Sequence, residues 1–169
     1  HNYEAHEKLF RLLVGSWREN WNDPDLPFYY VQLSSIDRPS WPWFRDSQRR
    51  LMDAIPHTGM AVSSDYGDSL DVHPKNKRPI GERLAHWALN RTYDKKQVVP
   101  SGPLFRSVDF REDAAYVSFD YADGLHTADG RPIREFEIAE TEGVYYPAKA
   151  EVVGNQVKVS VSYTHLRAH

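Results

Sequence analysis

The stretch Asp65-Tyr66-Gly67-Asp68-Ser69-Leu70-Asp71-Val72-His73 sets three carboxylates and one imidazole within nine residues. A carboxylate beside a histidine fixes the imidazole tautomer and stabilises the imidazolium, which is the orienting half of a nucleophilic triad. His73 is the candidate general base. Asp71, two residues before it, and Asp68, five before it, compete for the acid. The plain reading of the same residues is a solvated loop in which His73-Pro74 leads into a helix. A metal site built from Asp65, Asp68, Asp71 and His73 is not expected, because the spacing lacks the alternate-position carboxylates and glycine of a calcium loop.

No nucleophile accompanies the base. Ser34-Ser35 and Ser63-Ser64 each follow an apolar run, but neither pair lies in the strained Gly-x-Ser-x-Gly elbow. They read as strand-end loop serines. The absence of cysteine excludes a thiolate nucleophile and a thiolate zinc site. Arg45 and Gln48 stand one helical turn apart and project from one face, either lining a polar pocket or facing solvent. Trp41 and Trp43, in a Pro-rich loop, offer an aromatic platform for a sugar ring or a plug for the edge of a core.

These residues need elements to hold them. Residues 3–21 read as an amphipathic helix with Leu9, Phe10, Leu13, Val14, Trp17 and Trp21 on one face and Glu4, Lys8, Arg11 and Arg18 opposite. The run from Pro27 to Leu33 is aromatic and β-branched, as a strand buried on both faces would be. Phe44 to Ile55 is a second helix, Thr58 to Ser63 a short strand, and residues 75–93 a third helix carrying Ile80, Leu84, Trp87 and Ala88 on one face. Helices alternating with strands through short links predict a parallel sheet covered by helices. A loop between a strand and the next helix is where such proteins place their ligands.

Beyond Val99-Pro100-Ser101-Gly102-Pro103 the pattern changes to period-two alternation over 105–110, 115–121, 133–138, 145–153 and 157–161. Turns at Ala122-Asp123-Gly124, Asp129-Gly130 and Gly154-Asn155 separate the runs, which predicts antiparallel β-structure belonging to a sandwich or jelly roll. The expected domains are therefore 1–97, α/β, and 98–169, a partial β-sandwich. With 21 basic and 24 acidic residues the net charge is −3, which disfavours nucleic acid and anionic membranes as partners. No apolar run approaches the roughly 20 residues of a membrane span.

Met60-Ala61-Val62, Asp65-Tyr66-Gly67-Asp68, Asp71-Val72-His73-Pro74-Lys75-Asn76-Lys77 and Gly81-Glu82-Arg83-Leu84-Ala85 together resemble the C-terminal catalytic block of the sialate O-acetylesterases, SGNH-type carbohydrate esterases. Trp17-Arg18 with Trp21, Leu26-Pro27-Phe28, Val31-Gln32-Leu33, Arg45-Asp46-Ser47-Gln48, Ser101-Gly102-Pro103, Gly124-Leu125-His126 and Asp129-Gly130 extend the resemblance in order from about residue 3 to 159. It implies the second half of a flavodoxin-like α/β hydrolase domain followed by β-structure. It also implies cofactor-free Ser–His–Asp removal of acetyl groups from sialic acid or a related glycan, and an exported protein. His73 matches the family's catalytic histidine. Many of these enzymes place the acid three residues before the histidine, which here is Leu70, so Asp71 and Asp68 both stand. Arg45, Gln48 and Trp43 are the candidate substrate-binding residues.

The family's Gly-x-Ser-Asn and Gly-Glu-Ser-Asn-like blocks are not among these 169 residues. The expectation is a fragment, inactive alone, whose 160–169 tail is foreign to the family pattern. The alternative is a non-catalytic glycan-binding module that uses the Trp loop and the β-segment.

Overall fold

The computed structural model describes residues 2–111, 114–141 and 143–161. The chain divides into two compact units, His1–Ser101 and Gly102–His169. The first contains α1 (Tyr3–Asn20), β1 (Phe28–Val31), α2 (Trp41–Ala54), β2 (Thr58–Ala61), a single 3-10 turn (Ser64–Tyr66) and α3 (Arg78–Arg91). β1 and β2 pair in parallel, Phe28 with Thr58 through Val31 with Ala61. α2 makes the crossover that a parallel pair requires.

Two prolines decide where helices begin. α2 starts at Trp41 and not at Phe44, because Pro42 sits in the first turn, where a missing N–H costs no hydrogen bond. Trp41 and Trp43 are therefore helical, which corrects the loop expected there. Pro79 likewise opens α3, so that helix begins at Arg78 and residues 75–77 remain in the loop. β1 is buried on one face only: Tyr30 is buried but Val31 is 38% exposed. That corrects the two-sided burial expected from its uninterrupted apolar run.

The apolar face of α1 also differs from expectation. Val14 is buried, whereas Leu9, Leu13, Trp17 and Trp21 are exposed. Helix α1 turns a mixed stripe toward α2: Glu7 pairs with Arg50 at 2.7 Å, His6 meets Phe44 edge-on, and the Arg11 guanidinium donates to the carbonyl of Ala54. Phe10 and Val14, continuing that stripe, close a core with Leu51, Ile55 and Phe28. Polar anchors rotate the helix away from the orientation its hydrophobicity alone predicts. The Arg50 guanidinium beside Glu7 also holds that carboxyl below its ordinary range. Arg18 fastens the helix exit, donating to Leu26 O at 3.1 Å and Pro56 O at 2.7 Å.

On β2, Gly59 is dictated by its neighbour. A Cβ there would lie 2.5 Å from Cδ2 of Trp87, whose ring is buried against the strand. Its indole N–H donates to Met60 O at 2.9 Å. Trp87 thus packs on bare backbone while satisfying its one polar atom.

The second unit is one five-stranded antiparallel sheet in the order β3 (Leu104–Arg111), β4 (Ala114–Asp120), β7 (Gln156–Val161), β6 (Val144–Val153), β5 (Ile133–Thr141). Ala115, Ala150, Val157 and Val159 form its buried centre, with Val117, Phe119, Leu125, Ile133, Phe136, Ile138 and Ala148 packed around them. The described residues of this unit make a single antiparallel sheet, as the alternation predicts, and period two reports one wet and one dry face but not what covers the dry one. Of the tail expected to diverge, Ser160 and Val161 belong to β7, pairing with Ala114 and Ala148; the remainder lies outside the described residues.

Replacing Gly59 by alanine is expected to destabilise the chain by about 1–3 kcal/mol through collision with the Trp87 ring. Gly102→Ala, which meets nothing within 4 Å, should change stability by less than about 0.5 kcal/mol. Chemical denaturation of both variants checks the difference.

Candidate functional site

The connection after β2 docks on the connection after β1, and short hydrogen bonds join the two. Ser34 Oγ donates to Val72 O at 2.6 Å, Ser35 Oγ to Ser64 O at 2.8 Å, and Ser63 Oγ to Gln32 O at 2.7 Å. The amide of Asp37 donates to Ser69 O at 3.0 Å. Gly67 is required at the crossing point, since a Cβ would come within 2.4 Å of Ser35 N. Both connections leave the C-terminal ends of parallel strands, the position where open α/β sheets hold their ligands.

α3 secures the far side of this loop. The Arg83 guanidinium grips both carboxylate oxygens of Asp65, at 2.7 and 2.6 Å, and also donates to Val62 O at 2.7 Å. This fork holds the Asp65 carboxyl below its ordinary value. Asp65 is thereby committed to structure.

Asp68 and Asp71 each fold back on the chain two residues ahead, the local bond that aspartate makes in turns. Asp68 Oδ1 accepts from the amide of Leu70 at 2.8 Å. Asp71 Oδ1 accepts from the amide of His73 at 2.9 Å and lies 2.9 Å from the same residue's Nδ1. Those two bonds, the backbone one first, hold the Asp71 carboxyl below its ordinary value. With the proton on Nδ1 the ring donates to Asp71 and leaves Nε2 as the basic nitrogen. The structure thus brings Asp71 and His73 together and turns Asp68 to Leu70. Both members of the pair are open to solvent, the His73 side chain 82% exposed and that of Asp71 49%. Among the described residues no three histidine, aspartate or glutamate side chains converge as a metal would need.

The remaining candidates lie on α2. Gln48 is buried and works on the sheet: its Oε1 accepts from the amide of Leu33 at 2.9 Å, and its carbonyl takes the Tyr30 hydroxyl at 2.7 Å. Burial raises the Tyr30 hydroxyl far above its ordinary pKa, keeping it a neutral donor. The carbonyl of Arg45 accepts from the side-chain amide of Gln32 at 2.9 Å. Trp43 is 41% exposed and stacks on Tyr3 at 6.4 Å. The indole of Trp41 donates to Ser34 O at 2.7 Å, joining α2 to the docked loops.

Gln32, Gly67 and Arg83 were not marked as site residues by the sequence. Their partners are 13 to 32 positions away along the chain, whereas the local aspartate turns are displayed by the Asp-x-Leu and Asp-x-His spacing.

No protein-family model matches the chain. A solved structure of a carbohydrate acetylesterase from Xanthomonas citri superposes with a TM-score of 0.85 at 32% sequence identity, over 96% of this chain and 38% of that one. The architecture is therefore that of part of a carbohydrate acetylesterase. Among curated proteins, rat sialate O-acetylesterase is 21% identical over 182 residues, 94% of this chain and 34% of the relative. The mouse sialate O-acetylesterase is 24% identical over 142 residues, 72% of this chain and 26% of the relative. By sequence and fold the chain is similar to part of the sialate O-acetylesterases and of a carbohydrate acetylesterase, and it spans about a third of the length of the rat relative. Among the described residues no helix is long and apolar enough to cross a membrane.

Arg83→Met should loosen the loop and remove one acid-sensitive contribution to stability. A carboxyl with a lowered folded pKa stabilises the fold above its unfolded value, 3.8 for Asp65, and that contribution is lost as pH falls through the folded value. The variant's stability should therefore fall less steeply than the parent's between neutral pH and the carboxylate range. The pair is half exposed, so the neutral-pH difference should be about 1 kcal/mol or less. Denaturation midpoints measured across that range decide it.

Proposed function

We propose that this chain carries the general-base arm of a carbohydrate O-acetylesterase acting by Ser–His–Asp acyl transfer. The observation that carries the proposal is the 2.9 Å contact between Asp71 Oδ1 and His73 Nδ1 at the C-terminal ends of the parallel strands. In this reading His73 Nε2 takes the proton of an attacking serine hydroxyl. The serine oxygen adds to the acetyl carbonyl, and the protonated ring returns the proton to the departing sugar oxygen. Water then repeats the cycle on the acyl-enzyme and releases acetate. Asp71 is the acid of the triad, and Asp68 shapes the turn that presents it.

The first unit is, on this proposal, the second half of a flavodoxin-like SGNH domain. Ser34, Ser35 and Ser63 each donate their hydroxyl to a backbone carbonyl, so none of the three is poised on His73. The nucleophile and the oxyanion donors belong to the part of the esterase outside this match. Arg45 and Trp43 lie on the first turns of α2, which starts from the same end of β1, and serve the sugar. Gln48 supports them by holding the strand end. The sialate substrate follows the names of the rat and mouse relatives; an acetylated glycan is the broader class.

The 169 residues alone should hydrolyse p-nitrophenyl acetate no faster than a His73→Ala version of themselves. Joined to the nucleophile-bearing segment, His73→Ala should lower kcat/KM by about 10³-fold or more with an unchanged far-UV spectrum. Asp71→Asn should lower it by at least about tenfold, while Asp68→Asn should leave it within about threefold. A larger loss for Asp68→Asn than for Asp71→Asn would transfer the acid's role to Asp68. Undiminished turnover by His73→Ala would refute the base.

A further inference from the structure

We propose that the second unit holds its own carbohydrate-binding site, a polar concavity at one end of the sheet that takes an uncharged pyranose. The start of β3, the end of β4 and the turn between β6 and β7 come together there around a cavity of about 480 Å³. Its lining includes the polar residues Arg106, Asp120, Asp123, Asn155 and Gln156, and Tyr121 and Phe119 are its aromatic members. That volume lies within the roughly 300–1,000 Å³ of small-molecule sites.

Three observations mark it as a built site. First, the β3–β4 register breaks between Phe105 and Ser107, leaving Arg106 as the inserted residue of a bulge. Bulges re-aim a side chain at the cost of ladder hydrogen bonds, and here the guanidinium reaches Asp120 at 3.5 Å. Second, Tyr121 has φ +57°, a left-handed conformation that is strained for a bulky residue and that needs support from its surroundings. Third, the amides are held in place by neighbours: Asn155 Nδ2 donates to Asp123 Oδ1 at 3.2 Å, and Gln156 Nε2 to Ser118 Oγ at 2.7 Å. Each of these bonds uses only part of the group's capacity. A carboxylate accepts at several lone pairs and a carboxamide has two donors and an acceptor, so donors and acceptors remain for a ligand.

Alternating acceptors and donors beside an aromatic ring match the chemistry of a pyranose. Its adjacent hydroxyls each give and take a hydrogen bond, and its C–H face is apolar. Charge selects within that class. Two carboxylates face one guanidinium, and that guanidinium is already beside Asp120. An acidic sugar would meet net negative charge, so the site takes a neutral residue of a glycan. The proposal does not rest on His73 or on the esterase reading, because every residue it uses lies in the second unit.

Titration of the ¹⁵N-labelled 169-residue chain with lactose, xylotriose and N-acetylneuraminic acid tests it. At least one neutral sugar should give saturable shifts at the amides of Arg106, Asp120 to Asp123, Asn155 and Gln156, with a dissociation constant on the order of 1 mM. N-acetylneuraminic acid should give none there. Asn155→Ala and Asp123→Asn should each weaken binding about tenfold while the remaining spectrum stays folded, and His73→Ala should leave it unchanged. The proposal is overturned by the absence of saturable shifts at these amides with both neutral sugars, by tighter binding of the acidic sugar, or by unaltered affinity in both lining variants.

Discussion

The candidate active site depends on two strand-end connections being held at backbone contact. Ser34, Ser35 and Ser63 spend their hydroxyls on carbonyls of the opposite segment, and Gly67 has no side chain because Ser35 occupies the space one would need. Loops are costly to order, and apart from the single turn at Ser64–Tyr66 neither connection has a helical or sheet ladder to satisfy its backbone. Each side-chain bond supplies a partner that water would otherwise provide, worth about 1 kcal/mol apiece. Together with the Arg83 fork on Asp65 they turn a polar segment into a platform. Only on that platform does the short local bond from Asp71 to His73 point at a defined place in the molecule.

The same economy of polar groups runs through the first unit. Trp87 lies on Gly59 and gives its N–H to Met60. Tyr30 is buried with its hydroxyl on Gln48, and the Gln48 side chain holds Leu33. Glu7 and Arg50 pair between α1 and α2. Apolar area supplies the bulk of the driving force, but these pairings set helix rotation and strand-end position. The second unit rests on ladder hydrogen bonds and a single apolar face, and two of its irregularities, the Arg106 bulge and the left-handed Tyr121, lie beside the same concavity; others fall on β5, at Glu135 and in its register with β6. Irregular backbone that lines a concavity is a reason to look for a ligand there.

The relation to carbohydrate acetylesterases joins the two units in one context without making them serve one task. On the proposed reading the first presents a base and its carboxylate, and the second a concavity lined by Arg106, Asp120 and Asp123. An esterase acting on polymeric or branched glycans gains from a second point of attachment, because a tethered ligand meets the catalytic centre at a raised effective concentration.

Much of this was legible in the sequence, and the limit has a physical form. Element type follows from period: helical spacing in α1 and α3, period two from Phe105 onward, and prolines and glycines marking the breaks. The candidate dyad follows from local spacing, since an aspartate two residues before a histidine can reach both its amide and its ring. What a stretch of chain cannot display is which of two satisfied arrangements the rest of the fold selects. Helix α1 shows six apolar residues on one side, yet four of them are exposed, and Glu7 and His6 join Phe10 and Val14 in facing α2 and the core, because Arg50 and Phe44 come to them. Gln48 reads as lining a polar pocket or facing solvent, and it is buried, because Leu33 and Tyr30 need partners. Asp68 and Asp71 are alike in the sequence as turn-forming acids. The fold separates them: Asp71 Oδ1 is shared between the amide and the ring of His73, and Asp68 goes to Leu70. The sequence by itself determined that Asp65 to His73 would be a loop rich in groups able to move a proton. Only the tertiary structure decided on what support that loop stands, because the contacts from Ser34 to Val72, Ser35 to Ser64 and Arg83 to Asp65 depend on segments far apart in the chain arriving within hydrogen-bond distance.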